Sequence, residues 1–257
     1  MAFSRPTITV FGWWLGALVG VTASPPALAD MCQARSGATI TPVVELYTSQ
    51  GCSSCPPADR WLSSLKPRSM ASGDAVIQAF HVAYWDYIGW VDPFTSSLHT
   101  HRQRQIAAWN GLRTIYTPQM VLNGRDWRDW RGDATGLPVT RDIAHAMITV
   151  QQRGKDLFEA TVNVTPEAPA AWAAYWTVTE NAHSTSVRAG ENAGDTLRND
   201  HVVRQYALAG QYRKDHTTSQ TLVLHTVPAT SGHDRTVNLV VFDPRNGRTV
   251  QALSTPC

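Results

Sequence analysis

This chain has little net charge and few cysteines. Its 22 Lys and Arg against 20 Asp and Glu leave a formal +2, and only 16% of the residues are charged. So close a balance supplies no strong field to draw in nucleic acid or an anionic membrane. Four cysteines in 257 residues are too few for a disulfide-scaffold fold. No internal repeat or low-complexity tract is present, and the composition is neither disordered, collagenous nor coiled-coil. The apolar run from Ile8 to Ala23 is sixteen residues long and holds Gly12, Gly16 and Gly20. That is short for a span, which needs about 20 apolar residues.

What remains is globular: 43% apolar residues and a length that fits one large or two small domains at about 100 to 200 residues each. The first segment reads as an address. Arg5, the apolar run and Ala27-Leu28-Ala29 have the form of a signal peptide, predicting residues 1–29 to be cleaved before Asp30; an uncleaved anchor is the alternative. Asp30 and Met31 stand where a lipid-attachment site wants small residues. The expectation is a periplasmic or secreted protein without a stable membrane anchor after cleavage, in a compartment where cysteines pair.

After an extension over 30–38, residues 39–154 alternate strand and helix patterns. Pro42 to Thr48 and Ala75 to Ala83 read as buried strands, and Pro56 onward as a helix with proline in its first turn. Ser96 to Gly111 reads as a second helix. Pro118 to Leu122 and Asp126 to Trp130 read as short strands, and Val139 to Arg153 as a third helix. Over 155–257 the pattern changes to short alternating strands, at Leu157–Val164, Trp172–Thr179, His201–Leu208, Thr221–Val227 and Val237–Phe242. The predicted class is α/β, with a mixed sheet followed by a small antiparallel β-sandwich-like domain.

The cysteines fall into two kinds. Cys52 and Cys55 form CxxC between a strand and a helix, where the free N–H groups and dipole of a helix amino end favour a thiolate. The second thiol can then resolve a mixed disulfide. As an inert staple the pair does little, since so short a loop contributes only about 2 kcal/mol. Zinc needs four ligands and no second CxxC or CxxH follows. Cys32 and Cys257 lie near the two ends of the mature chain and read as a structural disulfide, with intermolecular pairing or free thiols as alternatives.

The strand-CxxC-helix unit, with Thr117-Pro118 opening a later strand, resembles the thioredoxin-like superfamily. That resemblance implies a thioredoxin-like fold, Cys52 as nucleophile, Cys55 as resolving thiol, Pro118 as a cis-proline and Thr117 as a substrate contact. Four longer motifs, VELYTSQGCSSCPPAD, AFHVAYWDYIGWVDPF, RQRQIAAWNGLRTIYTPQMVLNG and GENAGDTLRNDHVVR, are similar to a bacterial secreted family, domain of unknown function 1223. The chain departs from that pattern at Ala83, where an acid is expected, and at Asp195, where a base is expected. The family implies no established substrate.

Around the CxxC, the His81 to Trp90 segment follows the second strand and should lie on the same sheet edge. Trp85 is a candidate groove wall, and His81 and Asp86 are candidates for proton transfer; packing and capping are the alternatives. Glu45 is a candidate proton acceptor for Cys55, or else is turned outward or into an ion pair by strand alternation. His99 and His101 read as surface residues. Gly190 to Asp195 reads as a polar interstrand turn, with an oxygen-rich metal loop as the alternative that lacks calcium-loop spacing; its place in the family motif implies that it folds back toward the CxxC side, with Arg204 steadying it.

The function expected is an exported thiol-disulfide oxidoreductase that uses the Cys52–Cys55 disulfide and no other cofactor. Its partners would be protein or small-molecule thiols and disulfides, not nucleic acid. A Cu(I) module held by Cys52, Cys55 and His81 is one alternative; a redox-silent interaction domain is another. Burial of both thiols beneath the C-terminal strands would count against a general enzyme.

Overall fold

The computed structural model describes residues 1–3, 32–66, 74–131, 137, 141–214 and 219–256. Contacts divide the chain into two units, 1–30 and 31–257, and every strand and helix described belongs to the second. Residues 4–29 of the expected leader lie outside the described residues.

In chain order the elements are β1 (Gln33–Arg35), β2 (Val43–Thr48), α1 (Pro56–Ser64), β3 (Val76–His81), α2 (Ser97–Trp109), β4 (Gln119–Leu122) and β5 (Arg125–Asp126). Strands follow almost without interruption: β6 (Ala146–Gly154), β7 (Leu157–Val164), β8 (Ala171–Glu180), β9 (His183–Ser186) and β10 (Thr196–Asn199). The last four are β11 (Val202–Arg213), β12 (Ser219–His225), β13 (Arg235–Phe242) and β14 (Thr249–Pro256). A 3-10 helix, Ala83–Ile88, follows β3.

An eight-stranded sheet runs β14-β13-β8-β11-β3-β2-β4-β5, and a four-stranded sheet runs β1-β6-β7-β12. β3 is parallel to both β2 and β11; the other neighbours in the large sheet are antiparallel. β2 is buried along its whole length, so both of its faces must be covered. Val44 and Leu46 pack with Leu62 of α1, while Tyr47 packs with Ile106 of α2. Strand alternation therefore directs even-numbered β2 residues to α1 and odd-numbered ones to α2. Further along the sheet, Trp172 and Trp176 of β8 and Leu239 of β13 enclose a second core with Ile148, Phe158 and Val162 of the smaller sheet.

This arrangement overturns the expected α/β thioredoxin-like fold followed by a small antiparallel β-sandwich-like domain. The described chain is mostly strand, and strands from both sides of residue 154 hydrogen-bond in one sheet, β3 with β11 at Ala79 and Val202. Residue 154 itself closes the β6–β7 hairpin. Where a helix was expected over 139–153, the described residues hold no helix, and from Ala146 on they form the strand β6. Its buried residues Ala146, Ile148 and Val150 recur every second position, and that two-residue period, with β-branched side chains, decides for strand. The C-terminal strands fall close to the expected positions. β1, β9, β10 and β14 were not anticipated, and of the expected strand at 126–130 only Asp126 is paired, Arg128–Arg131 being 3-10 helix.

Candidate functional site

β2 ends at Thr48, and a tight loop carries the chain to the amino end of α1. The Cys52 N–H donates to the Ser49 carbonyl at 3.1 Å, and the Cys55 N–H to the Cys52 carbonyl at 3.2 Å. Cys55 is the N-cap of α1 and already has helical dihedrals (φ −78, ψ −40). Pro56 and Pro57 follow where no intrahelical N–H bond is lost. Cys52 and Cys55 are joined in a disulfide, with their Cα atoms 5.5 Å apart.

Opposite the disulfide, the Thr117–Pro118 peptide bond is cis. Thr117 Oγ1 donates to Cys52 Sγ at 3.4 Å, and Trp85 Nε1 donates to Thr117 Oγ1 at 2.7 Å. Trp85 is thus a support for the residue that touches the disulfide.

Both cysteines are fully buried, at 0% exposure. Their cover comes from two directions. From the 3-10 helix, Ile88 and Trp85 lie against Gly51, where an added Cβ would be 3.2 Å from Ile88 Cδ1. From the β9–β10 loop, Glu191 accepts from the Ser53 N–H at 2.9 Å and its hydroxyl at 2.8 Å. Those bonds, from the backbone first, hold the Glu191 carboxyl below its usual range. Asn192 Nδ2 donates to the carbonyls of Gln50 at 2.8 Å and Cys52 at 3.0 Å. The Gly190 to Asp195 stretch does fold back onto the CxxC. Arg204 does not steady it, since Arg204 pairs with Glu180 at 3.3 Å and lies over Phe94.

Behind the disulfide is a buried polar cluster. Asp92 Oδ2 accepts from His81 Nδ1 at 2.6 Å and from the Gln50 N–H at 2.8 Å, and Oδ1 accepts from the Phe94 N–H at 2.9 Å. Burial would raise the Asp92 carboxyl, but the His81 charge and these bonds outweigh it and hold it low. Burial likewise disfavours the His81 cation, yet Asp92 and then Asp59 hold its pKa above the usual value. Asp59, on α1, accepts from Thr48 Oγ1 at 3.1 Å, and burial, only partly countered by His81, pushes its carboxyl up to about 6.

The other anticipated residues are engaged elsewhere. Glu45 faces α2, where Arg102 reaches its two oxygens at 2.9 and 2.6 Å, Tyr47 donates at 2.6 Å and Tyr175 at 3.2 Å. The Arg102 guanidinium also lies 4.0 Å from the centre of the Tyr175 ring. Glu45 is therefore the ion-pair partner, neither turned outward nor beside Cys55. Asp86 accepts from the Asp92 N–H at 3.3 Å and Thr95 Oγ1 at 3.2 Å, capping the turn before α2. His99, expected on the surface, is buried against the His81 carbonyl at 2.9 Å; burial lowers its pKa to about 4. His101 is exposed.

His81 does not join the cysteines in a ligand set, and no group of three or more His, Cys, Asp or Glu able to hold a metal occurs among the described residues. Cys32 is disulfide-bonded, while its expected partner Cys257 lies outside the described residues. Gln251 of β14 holds the segment between β1 and β2 through the Gly37 and Thr39 carbonyls and the Thr41 N–H. Among the described residues no helix is long and apolar enough to cross a membrane. Asp59, Asp92 and Arg102 were not anticipated. The signal for Asp59 was its place four residues after Cys55, one helical turn on.

Two solved structures share this fold. A protein of Agrobacterium tumefaciens known from X-ray crystallography is 23% identical, with a TM-score of 0.59 over 86% of this chain and 96% of its own. HBP35 of Porphyromonas gingivalis is 12% identical, with a TM-score of 0.56 over 86% of this chain and 76% of its own. No curated protein matches. The family model described as protein of unknown function (DUF1223) matches residues 43–242.

Proposed function

This chain belongs to the DUF1223 family, and from that premise we propose that its Cys52–Cys55 pair is the redox-active disulfide of an exported thiol-disulfide oxidoreductase. One observation carries the reading: a disulfide at the amino end of α1 whose Cys52 sulfur receives a hydrogen bond from Thr117. A donor and a helix amino end both stabilise negative charge on sulfur. A substrate thiolate attacks Cys52, its sulfur bonds there, and Cys55 leaves as a thiolate that takes up a proton. A second substrate thiolate attacks the mixed disulfide, releasing Cys52 as a thiolate and the substrate as a disulfide. Two electrons pass to the protein; the reverse sequence reduces a disulfide. The partners are protein or small-molecule thiols and disulfides, met in the periplasm or outside the cell.

The full burial of both sulfurs narrows the reading to a partner that displaces the 190–192 cover or slips beneath it. The same burial favours a second reading, a redox-silent interaction domain. Insulin-disulfide reduction, and oxidation of a reduced dithiol peptide, separate the two. Wild type should exceed Cys52→Ser in at least one assay; equal rates in both would leave the redox-silent domain.

A further inference from the structure

The strongest observation outside the disulfide is His81. Its ring is buried at 0% exposure, Nδ1 is held by Asp92, and Nε2 has no hydrogen-bond partner. The strand register places it beside Thr48, whose hydroxyl holds Asp59. Ile77 and Ala79 of the same strand pack with Leu62 of α1, so alternation turns His81 to the α1 side as well. Asp59 belongs to α1, and its N–H donates to the Cys55 carbonyl at 3.1 Å. That bond, with helical dihedrals at Cys55, puts the two side chains on one helix face, with Cβ atoms about 5 to 6 Å apart. Cys55 is fully buried, and Asp59 is 8% exposed. Water therefore has poor access to the Cys55 thiol, while a carboxylate stands one turn away.

We propose that Asp59 is the buried proton acceptor and donor for Cys55, with His81 and Asp92 as positioning residues behind it. This rests on the redox reading above. When a mixed disulfide has formed at Cys52, the Cys55 thiol passes its proton to the Asp59 carboxylate, directly or through one water. The Cys55 thiolate attacks the Cys52 sulfur, the bond to the substrate sulfur breaks, and the substrate leaves as a thiolate. In the opposite direction Asp59 returns the proton to the departing Cys55 thiolate. Atoms and electrons balance with no further reagent.

The surrounding charges fit this task. Asp59 meets His81 from β3, Asp92 from the segment before α2 and Arg60 from its own helix. His81 meets Asp92, Asp59 and Arg204 of β11, and its ring also acts on His99 of α2. With the Asp59 carboxyl near 6, the group is mostly ionised at neutral pH and ready to accept. Below that value it is protonated and the resolving step slows.

Stopped-flow reaction of the reduced protein with 5,5′-dithiobis(2-nitrobenzoic acid) separates the steps. Attack by Cys52 releases a first thionitrobenzoate, and resolution by Cys55 releases a second. In wild type the second phase should accelerate as pH rises through about 6. Asp59→Asn should slow it at least about tenfold at neutral pH and move its rise toward the ordinary thiol value of about 8.5, leaving the first phase unchanged. Asp59→Glu should restore part of the rate. The relay is overturned if the second phase of Asp59→Asn stays within about twofold of wild type across pH, or if the wild-type rise lies at the ordinary thiol value. The wild-type profile decides even if a variant does not fold. A wild type that releases nothing would instead overturn the redox reading itself, and the relay with it.

Discussion

Asp59 illustrates how one residue can serve chemistry against stability. A carboxyl of an unfolded chain titrates near about 4, whereas burial raises Asp59 to about 6 in the folded protein. The folded state therefore binds more protons between those values, and folding is favoured at the acid end. As pH rises from about 4 to about 6 this contribution is lost, and above that the ionised form costs on the order of 3 kcal/mol. Asp59→Asn is expected to unfold at higher urea than wild type at neutral pH and to lose that advantage near pH 4, as urea titrations at the two pH values will show. Glu45 is the opposite case, a buried carboxylate fully engaged by Arg102, Tyr47 and Tyr175. Seven residues before Cys52, it looked from the sequence as fit to serve that site as Asp59 does. Only the parity of β2 separates them: Glu45 faces α2, and Thr48, which holds Asp59, faces α1.

Among the elements, the β9–β10 loop has most influence on access. Its hydrogen bonds to the CxxC segment are polar holds, through Glu191 on Ser53 and Asn192 on the carbonyls of Gln50 and Cys52. The two Asn192 bonds contribute about 1 kcal/mol each and the Glu191 bonds lie at the surface, so opening of this cover is expected to cost less than unfolding of the core. Asn192→Ala removes its two bonds and should speed alkylation of reduced Cys52 by iodoacetamide severalfold, followed by mass spectrometry. An unchanged rate would show that the loop does not limit access. The strand-CxxC-helix unit was legible because proline after the cysteines and helical spacing after the prolines are local signals. The expected helix over 139–153 failed because its apolar residues also fit a period of two, and a four-stranded partner sheet decided the matter. β9 and β10 are short and largely polar and pair with each other, so no apolar alternation marks them, while β14 is the sequence neighbour of β13 and pairs with it.

At the scale of the whole molecule, a chain read as two successive domains forms one continuous eight-stranded sheet. Composition did change near residue 154, yet parallel pairing of β3 with β11 joins residues more than a hundred positions apart. That closure brings the C-terminal loop over the N-terminal disulfide, and it makes the redox state of Cys52–Cys55 a property of the entire fold. Whatever the fold gains or loses between its disulfide and dithiol forms appears in the reduction potential. Equilibration with glutathione buffers, read by mass spectrometry of the Cys52–Cys55 pair, therefore tests the central claim most directly. A catalytic pair is expected to titrate reversibly between about −270 and about −120 mV, the range of thiol-disulfide oxidoreductases. A potential below about −300 mV, where structural disulfides lie, would contradict it.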